Sequence, residues 1–227
     1  MRHIVRLFLF IILMLVISGC SSGTDASAYR STDPFEYYVY FPEDYKADVN
    51  WLLIVGVHGE GETGKDCFQR WQPLADDYSF VLLCPTFQVN NGELNDTDSG
   101  NRIATLLRIL YSTYPFQDQF FIAGTDAGGE FALRYALRYP YAMSGVASLA
   151  LERYPAPTTA AEDLPILVIV GERHSAGVES AQAFEEGMRM LNLPIRVLVL
   201  DGEDEDLSGD ASRLAIEFAL QASRIIP

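Results

Sequence analysis

Hydrophobic positions along the chain fall into two alternating periods. Unbroken apolar runs at 51–57, 80–84, 119–123, 145–151 and 166–170 predict strands covered on both faces. A further strand is predicted at 195–200, and period-two alternation at 35–41 predicts an early antiparallel one. Between them, 66–78, 102–114, 130–139, 175–191 and 207–226 carry helical spacing, as with Ile103, Leu106, Leu107 and Leu110. Strand–helix alternation of this kind predicts an α/β domain, a mostly parallel, twisted sheet with helices on both faces. The polar stretches 88–101 and 152–164 read as loops, and the second is too short to hold a cap domain. No internal repeat or second domain is apparent.

The first residues follow a different rule. A short basic start with Arg2 and Arg6 precedes an apolar run from Leu7 to Ile17, shorter than a spanning helix requires, which ends in Ser18-Gly19-Cys20. This resembles a bacterial lipobox. The resemblance implies a signal peptide over 1–19 and a lipidated Cys20 that anchors the chain to a membrane outside the cytoplasm, on the outer membrane where the host has two. Small polar residues at 20–33 read as a tether. That leaves a single folded domain at 34–227. The chain carries 31 acidic against 16 basic side chains, a net charge of −15. Loss of Arg2 and Arg6 makes the remainder more negative still. Such a surface repels nucleic acid and anionic headgroups, which excludes a polyanion-binding role. Cys67 and Cys84 are the two other cysteines. In an oxidising compartment they form a disulfide or remain two buried thiols.

Ligands of a parallel sheet sit at the carboxyl ends of its strands. The residues there are His58-Gly59-Glu60-Gly61, Pro85-Thr86, Thr125-Asp126-Ala127, Glu152, Glu172-Arg173-His174 and the acidic stretch 201–206. The strand ending at Ala123, the turn Gly124-Thr125-Asp126-Ala127-Gly128-Gly129 and the helix that follows have the context of a nucleophile elbow, G-x-S-x-G, with aspartate at the apex. Together with HGEG at 58–61 and GERH at 171–174, the chain from about 37 to 226 resembles an α/β hydrolase. The likeness is to the branch of esterases and polyhydroxybutyrate depolymerases.

The resemblance implies an α/β-hydrolase fold, an oxyanion hole from the amides of Glu60 and Ala127, and triad positions at the apex and after two later strands. Those positions hold Asp126, His174 and Glu205 instead of serine, acid and histidine, so acyl transfer is expected to be impaired. The chain is then expected to bind an ester-like small molecule or a protein partner, tethered to the membrane through Cys20, with no cofactor and no metal. Three alternatives stand beside this. One is an active hydrolase that uses Asp126 with His174. Another is chemistry relocated to Ser148, Ser175 or Thr125, although Thr125 is expected to point away from the cleft. The last is a metal held by Asp126, His174 and Glu205, with His58 nearby.

Overall fold

Strands that read as unbroken apolar runs stand at the centre of the sheet, where burial on both faces demands them. The computed structural model describes residues 27–225; the signal-like segment 1–19 and Cys20 lie outside the described residues. In chain order the strands are β1 (Ser27–Ser31), β2 (Tyr37–Phe41), β3 (Leu53–Val57), β4 (Val81–Pro85), β5 (Val89–Asn90), β6 (Glu93–Leu94), β7 (Phe120–Thr125), β8 (Met143–Leu149), β9 (Ile166–Gly171) and β10 (Ile195–Leu200). The helices are α1 (Gly64–Tyr78), α2 (Asp96–Tyr111), α3 (Ala127–Arg138), α4 (Ser175–Met190) and α5 (Gly209–Ile225).

Eight strands form one sheet in the order β1-β2-β4-β3-β7-β8-β9-β10, and β5-β6 make a separate hairpin. The pairs β1–β2 and β2–β4 are antiparallel. All pairs from β4 to β10 are parallel. Alternation along each strand splits the core in two. Leu53, Val55, Val57, Ile122 and Val168 face α2, α3 and α4, while Ile54, Leu82, Phe121, Ala123 and Ile169 face α1 and α5. Each fully buried Leu, Ile or Phe of these layers contributes about 1.5–3 kcal/mol relative to exposure.

Three departures from the pattern have local causes. The sheet begins inside the stretch that composition marks as a tether. Ser27–Ser31 pairs with β2, and Arg30 bonds Glu36 at 2.7 Å. The loop expected over 88–101 holds the hairpin and the first turn of α2. Asn95 starts that helix early by accepting from the amides of Thr97 and Asp98, and Asp96 and Asp98 complement its positive end. Finally, α3 starts at Ala127, directly after the apex. The short 3₁₀ turn Thr159–Ala161 is the sole helical segment between β8 and β9 among the described residues, so no cap covers the sheet there.

Cys67 of α1 and Cys84 of β4 are joined in a disulfide. Both sulfurs lie buried over Gly56, where a Cβ would collide with them. The bridge therefore fastens the helix that follows the 58–61 turn to the sheet beneath it.

Candidate functional site

Asp126 sits at a sharp bend between β7 and α3, with φ +50° and ψ −127°. A non-glycine residue there is strained by about 1–3 kcal/mol. The bend is over-determined by its neighbours. Gly124 and Gly128 pack backbone to backbone, and a Cβ on Gly128 would strike the carbonyls of Val57 and His58. The Asp126 amide donates to Leu149 O at 2.9 Å, and its own carbonyl accepts from the Glu130 amide at 3.0 Å. An aspartate before a helix ordinarily turns back to cap the first amides. Asp126 makes no such bond; its Oδ2 accepts from the amide of Glu60 at 3.0 Å.

The turn that carries Glu60 is held from two sides. His58 is fully buried; its Nε2 accepts from the Phe87 amide at 2.9 Å, so its Nδ1 carries the proton and donates to Gly59 O at 2.9 Å. Burial pushes this imidazole below its ordinary value of 6.5, opposed in part by the bond to Gly59. Both ring nitrogens are used by the main chain, which removes His58 from the metal set that the sequence allowed. On the other side Glu62 accepts from the Gly59 amide at 2.8 Å and pairs with Arg70 of α1. Burial alone raises the Glu62 carboxyl, but Arg70 and Gly59 more than offset it and hold it below its ordinary 4.5.

Arg70 also donates to Thr125 Oγ1 at 3.3 Å. Thr125 therefore faces the cleft wall, not away from it as expected, because strand alternation puts it on the α1 side of the sheet. Ser148, by contrast, is buried, and Ser175 opens α4. Neither lines the cleft.

His174 precedes α4 and is 9% exposed. Its Nε2 lies 3.2 Å from Glu152 Oε1, and its Nδ1 has no hydrogen-bond partner. The loops after β9 and β10 are laced together: Arg173 N donates to Glu203 O at 2.8 Å, and Gly202 N to Glu172 Oε2 at 2.9 Å. This lacing carries Glu205 to His174. One ligand atom each from Glu152, His174 and Glu205 lies within 4.8 Å of the others. The cluster thus has Glu152 where the sequence placed Asp126, which is engaged with Glu60 instead. Glu152 stood among the strand-end residues but had no assigned role, and Arg70 and Glu62 gave no sequence signal.

These groups line one cleft of about 470 Å³ together with Ala150, Asp206 and the start of α5. Ala150, like Asp126, has a positive φ, +58°. Six carboxylates (Glu60, Glu62, Asp126, Glu152, Glu205 and Asp206) face it against the single guanidinium of Arg70. The resulting potential attracts cations and repels anions.

No protein-family model and no curated protein matches the chain. In three dimensions it is similar to a thermostable esterase, with a TM-score of 0.66 at 17% identity over 88% of this chain; it spans 63% of that esterase's length. It is similar to a substrate-bound fluorophosphonate-binding serine hydrolase of Staphylococcus aureus (TM-score 0.67, 14% identity, 87% of this chain and 99% of that one). It is also similar to a feruloyl esterase module from Clostridium thermocellum (TM-score 0.67, 13% identity, 87% and 86%). Sheet order, elbow and neighbours agree: the chain has the α/β-hydrolase fold.

Proposed function

We propose that this protein is a binding protein built on an esterase-like fold, without serine-esterase turnover, tethered through Cys20 outside the cytoplasm. The observation that carries this reading is the 3.0 Å bond from the Glu60 amide to Asp126 Oδ2. Esterases of this fold aim such an amide at the oxyanion that forms when serine attacks. Here a resident carboxylate takes the amide, and its charge opposes a second anion in the same place. Loss of one oxyanion donor alone costs about 10²–10³ in kcat. Two further features support the reading. Asp126 offers no hydroxyl. His174 hydrogen-bonds Glu152 through Nε2 and has no acid on Nδ1 to orient it as a base. The cleft's size suits a small molecule.

The test is hydrolysis of p-nitrophenyl acetate and butyrate by the purified chain and by Asp126→Asn. Both are expected to match the uncatalysed rate. Turnover by the wild type that Asp126→Asn abolishes would overturn the reading and establish an aspartate-dependent hydrolase.

A further inference from the structure

We propose that Glu152, His174 and Glu205 form a divalent-cation site of the class that takes imidazole and carboxylate ligands, zinc foremost. The proposal rests on the reading of the cleft as a binding site and names its ligand.

Three chain positions, at the ends of β8 and β9 and beyond β10, bring one donor atom each to within 4.8 Å of the other two. The Nε2–Oε1 separation of 3.2 Å is that of two ligands bound side by side to one ion at about 2.1 Å. The remaining gap is closed by flexible parts. Glu205 is exposed, and the Glu152 side chain is 67% exposed, so either carboxylate can shift without repacking the core.

The imidazole supplies the second, independent indication. The His174 side chain is nine-tenths buried, and its one hydrogen-bond partner belongs to the cluster: Nε2 meets Glu152, while the unpaired Nδ1 lies against Gly177 of α4. A histidine serving the fold looks different in this same protein. His58 is buried too, but the main chain satisfies both of its nitrogens. His174 has instead been buried with its Nε2 turned toward a carboxylate.

Charge agrees with geometry. A neutral imidazole and two carboxylates carry −2, which a dication neutralises, and Asp126 and Asp206 on the same cleft add to the attraction. Three protein ligands leave zinc one open position, which the cleft exposes to a small molecule.

The experiment is calorimetric titration of the full chain, in detergent and dialysed free of metal, with ZnCl₂ and separately with MgCl₂. One zinc per chain and no heat from magnesium are expected. Glu152→Gln and Glu205→Gln are each expected to weaken zinc binding about tenfold or more, and His174→Ala to abolish it. Both glutamates are exposed, so their variants carry the test even where His174→Ala does not fold. Absence of zinc binding, preference for magnesium, or zinc binding unchanged in both glutamine variants overturns the site. None of these outcomes depends on ester turnover, so failure of the metal site and failure of the binding reading are told apart.

Discussion

Removing the Cys67–Cys84 bridge should cost the protein about 3 kcal/mol, and the number follows from where the bridge lies. The two residues are 17 apart in sequence. Cross-linking a loop of that size removes denatured-state entropy equivalent to about 3 kcal/mol at 25 °C. Both residues are fully buried, so Cys67→Ala/Cys84→Ala also removes packed sulfur over Gly56, which adds to the loss. For a domain of this size 1 kcal/mol corresponds to roughly 2–4 °C, so the double variant should melt roughly 6–12 °C lower. Circular dichroism melts of the double variant and the oxidised wild type give the comparison. Melting within about 2 °C of wild type would refute the reasoning, since it would mean the closed loop adds nothing that the surrounding core does not already supply. The site feels the same cut. The bridge anchors the helix turn just before Arg70, which holds Glu62 and through it the Gly59 amide. Amide exchange at residues 59–62 should therefore quicken in the variant more than exchange in α4.

Two further outcomes follow from the site. His58 is depressed below 6.5 by burial, so between that value and its folded pKa the unfolded chain binds a proton that the folded protein does not. Stability is then full above about pH 6.5 and falls as pH drops, by at most about 1.4 kcal/mol per pH unit. Denaturant melts of His58→Gln should show a flatter slope from pH 6.5 to 5, and an unchanged slope would show that another group titrates there. Glu62, held below 4.5, adds loss in the same direction only below that pH. Gly128→Ala should destabilise by about 3 kcal/mol or leave the protein unfolded, because its Cβ meets the backbone carbonyls of Val57 and His58, which cannot turn aside; an urea midpoint equal to wild type would contradict the close packing.

The fold was legible because two-sided burial writes itself into composition. A strand such as Leu53–Val57 must be apolar throughout, and glycines at 124, 128 and 129 announce a place where backbones touch. The apex aspartate could be found for the same reason. What stayed hidden depends on partners far along the chain. β1 is an edge strand of mixed polarity whose identity comes from register with β2. The start of α2 rests on one asparagine in a loop-like stretch. Glu152 looks like any surface acid until the chain returns 22 residues later with His174. Thr125 belongs to β7, whose alternation puts it with Phe121 and Ala123 on the side of α1 and α5, and Arg70 of α1, far back along the chain, is the partner that holds it there.

The shape of the bend does not depend on the side chain at its apex. Its shape is set by Gly124, Gly128 and the carbonyls they touch, none of which concerns the apex side chain. Replacing that side chain leaves a problem of a different kind, an amide at Glu60 that aims into a narrow cleft and wants an acceptor. In an esterase the acceptor arrives with the substrate. Asp126 brings one permanently, and a bond from an amide to an ionised group is worth about 1.5–3 kcal/mol. Asp126 is exposed, so solvent reduces that figure, and the remainder is of the same order as the cost of φ +50°. The strain of the bend is thus offset in part by a hydrogen bond within the protein. The charge so placed joins five other carboxylates in a cleft that attracts cations.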